Sequence, residues 1–328
     1  MKAERILTAV IIALAVVFAI VWQSGMLRLG PAASAVIQIS ADLTVPRLDD
    51  PAMIRRGAAH YDLVCANCHA SPLAPTKGDQ LSLMPPAPKL HFRVDGWLPE
   101  VLFLIVKHGI PNTAMPGWPT QHRDDEVWSM VAFLRVLPDL DAASYRVLAG
   151  LDAPPAPGLV AICARCHGAT GRGDASGAFP RLDIQTEDYL RDSLAAYRDG
   201  QRQSGFMAGI ADLQDDAQIA ALAAYFAAMP SRPAANPPTI VTQGIADRGL
   251  PACKTCHDPA DVVRPQFPRL VGQYPGYLAT QLRLFTDQPF TRGGGPFDSL
   301  MHKAGQGLTA DDIEVVSRWY GQTGGASD

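Results

Sequence analysis

Long alternating runs of β-branched residues are missing from this 328-residue sequence, and with them the usual signal of a sheet. Aromatic residues are few, at 7%, although a hydrophobic content of 48% still supplies real cores. Neither sign of charge dominates. The formal net charge is −4, so the basic footprint of a nucleic-acid-binding protein is absent. Few lysines mark an obvious docking patch. No cysteine is left over, because all six fall into three pairs of one form. That regularity argues against a disulfide scaffold. Proline and glycine are plentiful instead, 28 of each, so much of the chain is loop. The length suggests two or three domains.

The first residues form a targeting segment. Lys2 and Arg5 precede an uncharged run over residues 6–27. Its apolar core, ILTAVIIALAVVFAIVW, has 17 residues, which is the lower limit for a membrane-crossing helix. The positive flank places the N-terminus in the cytoplasm and the bulk of the chain outside. A cleaved signal peptide would use Ala33-Ser34-Ala35, but the apolar core ends far upstream at Trp22. The expectation is an uncleaved anchor over residues 1–28, followed by a tether over 29–47.

The cysteines stand as CANCH (Cys65, Cys68, His69), CARCH (Cys163, Cys166, His167) and CKTCH (Cys253, Cys256, His257). Disulfide and zinc readings give no reason for a histidine directly after each pair. Zinc ribbons combine two CxxC knuckles into one site, and three knuckles with three histidines do not divide that way. C-x-x-C-H is the attachment motif of c-type haem. Two thiols one helical turn apart reach the two vinyl groups on one edge of the porphyrin, and the adjacent histidine ligates the iron. Three motifs predict three covalent haems, and such attachment happens outside the bacterial cytoplasm. The expected location is therefore the bacterial inner membrane, with one N-terminal span and the haem domains in the periplasm.

A repeat comparison addresses the second axial ligand. FPRLDIQTEDYLRDSLAAY follows the second motif and FPRLVGQYPGYLATQLRLF follows the third. Phe179, Pro180, Arg181, Leu182, Gln185, Tyr189, Leu190 and Leu194 recur at an offset of 88. The first repeat carries only a thin echo, Pro88-Lys89-Leu90. Each repeat then runs through a helical segment, a loop with a methionine and a closing helix. The closing helices present Val127, Val131, Leu134 and Leu137, then Ile219, Leu222, Phe226 and Met229, then Ile313, Val316 and Tyr320 on one face. Asp124, Asp125 and Glu126 occupy the first turn of the first closing helix. Thr309 and Asp312 read as a capping box for the third.

The methionines are Met115, Met207 and Met301, which stand 46, 40 and 44 residues after their motif histidines. Met115 lies in PNTAMPGWP, where the prolines exclude a helix. Recurrence in three repeats makes core packing a poor explanation. A thioether opposite the histidine is a known haem ligand pair that raises the reduction potential. The rival ligands are Met84, Met229 and His302, one in each repeat.

These residues resemble the class I cytochrome c family. Residues 150–325 are similar to the two-haem cytochromes c4, through CARCHGATGRG, FPRL, YL and AALAAYFAAMP. Residues 50–140 resemble a single-haem domain, through CANCH, IPNTAMPGW and DDEVWSMVAFL. The glycine-rich DQPFTRGGGPFDSLMH departs from the cytochrome c4 pattern. The resemblance implies an all-α fold of three tandem domains, each with a haem wedged between helices. It implies that carbonyls at Pro88, Pro180 and Pro268 take the N–H of the motif histidines. Lys89, Arg181 and Arg269 are candidates for pairing with haem propionates. The expected domains are 48–141, 150–232 and 238–325.

The expected function is single-electron transfer, with no catalytic residues, between a redox donor and an acceptor such as an oxidase, a cytochrome or a dehydrogenase. Two alternatives stand beside it. One is an electron-accepting subunit of a periplasmic dehydrogenase. The other is a haem enzyme with one labile axial site, most easily placed in the third domain.

Overall fold

A computed structural model describes residues 43–322, apart from residues 80, 95, 155, 157, 175, 228–236, 258–264 and 288–291. The expected anchor and most of the tether lie outside the described residues, as does Met229. Among the described residues no helix is long and apolar enough to cross a membrane. The described fold is helical, with isolated bridges but no strands, in line with the missing sheet signal.

The first unit begins with α1, Pro51–His60, capped by the Asp50 carboxylate on the Ala52 N–H at 2.8 Å, with proline at the first helical position. The helix passes through a wider π turn, Tyr61–Cys65, into α2, Ala66–His69. The first motif therefore closes one continuous helical run. After α3, Pro99–His108, comes α4, Asp124–Val136, the first closing helix. Helices α1 and α4 pack together, and Gly57 permits the close approach. A Cβ there would lie 2.2 Å from the Ser129 carbonyl oxygen and 2.6 Å from Phe133 Cβ. Val127, Val131, Leu134 and Leu137 are buried as their spacing predicts. The core also takes in Tyr145 and Ala149, past the expected boundary at 141. Helix α5, Ala142–Leu148, packs on α1 and donates the Tyr145 hydroxyl to Asp62 at 2.9 Å.

The second unit runs through α6, Ala161–His167, then α7, Glu187–Arg198, and α8, Asp216–Phe226. The third runs through α9, Lys254–His257, α10, Pro275–Thr286, α11, Asp298–Gly305, and α12, Ala310–Gly321. Helix α7 packs on α8, and α10 on α12. Ile219, Leu222, Phe226, Ile313, Val316 and Tyr320 are buried. The Thr309–Asp312 capping box is present, and Asp215 with Gln218 forms another. Each fully buried apolar side chain contributes roughly 1.5–3 kcal/mol. An exposed pair such as Arg47–Asp49 is screened by solvent and adds little, so the cores hold the units together.

The units also bind one another. Arg55 on α1 reaches Asp174 at 3.1 Å, and Arg165 on α6 reaches Asp62 at 2.6 Å. These crossed ion pairs tie the first unit to the second.

Candidate haem sites

Each CxxC pair lies at a helix end, which places its two sulfurs on one turn. None of the six thiols is in a disulfide. Burial pushes Cys65 up to about 12, and Cys166 and Cys253 up to about 11. Among the described residues no cluster of three or more His, Cys, Asp or Glu could hold a bare metal ion.

The three motif histidines are buried. His69 Nδ1 lies 2.8 Å from the Pro88 carbonyl, His167 Nδ1 2.9 Å from that of Pro180, and His257 Nδ1 2.8 Å from that of Pro268. A carbonyl can only accept, so Nδ1 carries the proton and Nε2 keeps its lone pair for a metal. Burial lowers all three imidazole pKa values, opposed by the hydrogen bond to the carbonyl. The neutral ring required of a ligand is therefore favoured. The expected role of the three prolines is borne out.

Cys163, Cys166, His167 and Met207 line a cavity of about 1630 Å³, and Cys253, Cys256, His257 and Met301 line the same one. A single ligand usually occupies roughly 300–1,000 Å³, so this space suits two macrocycles rather than one. Met207 precedes a short helix, Ala208–Ala211, and its backbone N–H donates to Ser204 Oγ at 3.2 Å. Met301 lies inside α11 rather than in the loop expected for it. No proline follows Met301, and SLMHKAG continues helically to Gly305. Its rival, His302, is turned onto Phe285, with ring centroids 5.0 Å apart and Nδ1 3.4 Å from the Phe285 carbonyl. Met115 is half-buried in the loop after α3, where its carbonyl accepts the Ile110 N–H at 3.1 Å. Its rival Met84 is 86% exposed.

Two of the proposed propionate partners are engaged elsewhere. Lys89 pairs with Asp79 at 2.9 Å, and Arg181 pairs with Asp183 at 2.6 Å. Aspartates near in sequence satisfy them first. Arg269 differs, since its buried Nε has no hydrogen-bond partner among the described residues and the side chain lines the cavity.

Sequence reading missed a stronger cationic pair, Arg202 and Arg292. Both are buried and line the cavity. Arg202 donates to the hydroxyls of Tyr189 at 3.3 Å, Ser193 at 3.0 Å and Tyr277 at 3.1 Å. Arg292 donates to Gln281 at 2.7 Å and lies over the Phe285 ring. Among the described residues, none of these hydrogen-bond partners is a carboxylate. Burial and then the Arg202 charge push the Arg292 guanidinium down. Burial would raise the Tyr189 phenol, but the two arginines pull it to about 8. Two like charges buried together call for an anion. The carboxylates of two haems fit that requirement, with Arg202 and Arg292 as the residues that would hold them.

Comparison with known proteins identifies the family. Residues 52–134 match the family model described as cytochrome c oxidase, cbb3-type, subunit III, and residues 159–230 match that of cytochrome c. A thiosulfate dehydrogenase electron acceptor from Thiomonas intermedia is 36% identical over 50% of this chain and 79% of its own length. Cytochrome c4 from Pseudomonas aeruginosa is 33% identical over 51% of this chain and 87% of its own. The solved structure of reduced cytochrome c4 from Pseudomonas stutzeri is 30% identical, covering 50% of this chain and 95% of that one, at a TM-score of 0.44. The cofactors are three covalent haem c groups, each supplying one iron that cycles a single electron. Likeness that runs through most of a relative's length covers whole domains rather than a shared motif, and the chain belongs to the cytochrome c family.

Proposed function

We propose that this chain is a periplasmic tri-haem carrier, tethered to the inner membrane by its N-terminal segment, that passes single electrons between respiratory partners. The observation that carries the reading is the meeting of Met207 and Met301 with His167 and His257 around one cavity. A haem iron that took both a histidine and a methionine would keep no open position. Such a site favours outer-sphere electron transfer over bond chemistry. Met115 serves the first haem in the same way. Carbon monoxide added to the reduced protein tests this. The expected result is no binding at any haem, and rapid stoichiometric binding at one of them would instead favour the enzyme reading. Intact mass of protein taken from membranes tests the tether, and a chain beginning at Val36 would refute it.

A second reading has its own support. A relative from Thiomonas intermedia is named as the electron acceptor of thiosulfate dehydrogenase. On this reading the chain accepts electrons from a periplasmic dehydrogenase acting on an oxidisable sulfur anion. Stopped-flow reduction of the ferric protein by a thiosulfate dehydrogenase with thiosulfate separates the two. Reduction that requires the enzyme and saturates with its concentration favours the second reading.

A further inference from the structure

Glu126 stands in the first turn of α4, where an acidic side chain ordinarily faces water near the helix N-terminus. Here it is 2% exposed. Burying a carboxylate is costly unless every lone pair is served. Trp118 Nε1 donates to it at 3.2 Å, the Ser204 hydroxyl at 2.6 Å and the Gly205 N–H at 2.6 Å, and Arg123 lies 3.0 Å away. Every partner is a donor, so the carboxylate form fits the site.

These donors come from two domains and from two particular loops. Trp118 follows Met115 by three residues, and Ser204 and Gly205 directly precede Phe206 and Met207. Ser204 relays the contact, because its hydroxyl also accepts the Met207 backbone N–H. The loops touch closely. A Cβ on Gly205 would lie 2.3 Å from Trp118 Nε1, and the Phe206 ring stands edge-on to Trp118 at 5.4 Å.

We propose that Glu126 is a positioning residue that clamps the Met115 loop of the first domain to the Met207 loop of the second, so that the thioether ligands of haems 1 and 2 are set jointly. The proposal rests on the reading of Met115 and Met207 as iron ligands. Gln185 and Gln273 hold the second and third domains together, and among the described residues no donor to Glu126 comes from the third domain, so haem 3 serves as the internal control.

Redox titration of the full-length, haem-loaded protein tests the clamp, with the near-infrared band of thioether-ligated ferric haem as a second readout. Glu126→Gln keeps the volume but faces an amide against one of the donors. It should weaken both thioether ligations, lowering the potentials of haems 1 and 2 and reducing the near-infrared band. Ser204→Ala removes the hydroxyl that joins Glu126 to the Met207 N–H but leaves Trp118 on the carboxylate, so it should lower haem 2 more than haem 1. A tenfold loss of ferrous preference reads as 59 mV for one electron. Met207→His separates the two ideas, since it should lower haem 2 whether or not the clamp exists. If Met207→His lowers haem 2 while Glu126→Gln and Ser204→Ala shift nothing, or shift all three haems equally, the clamp is wrong. If Met207→His shifts no haem, the ligand reading fails, and the clamp with it.

Discussion

Gln185 and Gln273 occupy equivalent positions in two repeats, and each embraces the backbone of the other repeat's arginine. Gln185 accepts the Arg269 N–H at 2.9 Å and donates to the Arg269 carbonyl at 2.9 Å. Gln273 accepts the Arg181 N–H at 2.9 Å and donates to the Arg181 carbonyl at 3.0 Å. The pairing is reciprocal, so the second and third domains face each other about an approximate two-fold axis. Both glutamines are buried. Gln273→Leu strands two backbone groups and should destabilise the junction by about 1–3 kcal/mol per group left unpaired. Guanidinium unfolding followed at the haem absorption should show an earlier transition for haems 2 and 3, with Gln185→Leu behaving alike.

Met115→His keeps two ligands on the first iron but exchanges a thioether for an imidazole. The potential of haem 1 should fall by at least about 59 mV, one tenfold step for a single electron. Met84→His should leave it unchanged, because that side chain is exposed to solvent. Potentiometry of the full chain, read against the unmoved haem 3, decides between them.

Arg202 and Arg292 give a test whose sign is informative. If they hold haem carboxylates, removing one arginine strands a buried anion. Arg202→Leu should then cost about 3–5 kcal/mol. If the two cations merely repel each other, the same change stabilises the protein. Arg202→Lys should recover only part of the loss, since an ammonium cannot reproduce a guanidinium fork that serves Tyr189, Ser193 and Tyr277. Denaturant midpoints for the three proteins give the answer.

Acid should loosen the third closing helix first at its cap. The hydrogen bond from Arg248, opposed by burial and aided by Thr309, holds the Asp312 carboxyl down at about 2. Its folded value is depressed from 3.8, so its contribution is full above that pH and disappears as pH falls through about 2. The protection of amides 310–321, corrected for the intrinsic pH dependence of exchange, should therefore fall between pH 4 and pH 2. Asp312→Asn should flatten that dependence.

Local chemistry was legible along the chain. CxxCH, the apolar faces of the closing helices, the Thr309–Asp312 box and the proline carbonyls behind the histidines all depend on residues close in sequence, or on a pattern repeated three times. What escaped depends on convergence across long separations. Glu126 reads as an ordinary first-turn acid until Ser204, 78 residues on, is folded against it. Arg202 and Arg292 belong to different repeats and matter only when both are buried side by side. Lys89 and Arg181 look free in sequence, but nearby aspartates claim them. Met301 looked like a loop residue by analogy with Met115, but it lacks the prolines that keep Met115 out of a helix.

Met53, Arg56, Ala59 and His60 of α1 line the cavity that also holds Cys163, His167 and Met207, and Ala59 packs with Phe179 and Cys166. The first domain thus forms a wall of its neighbour's haem site. Cutting the chain at the proline-rich stretch near residue 155 would separate the repeats cleanly as sequence, yet it would wet the second haem. A two-haem fragment made that way would be a different electrochemical object from the same residues in the intact chain. The unit that repeats in the sequence and the unit that excludes solvent do not coincide.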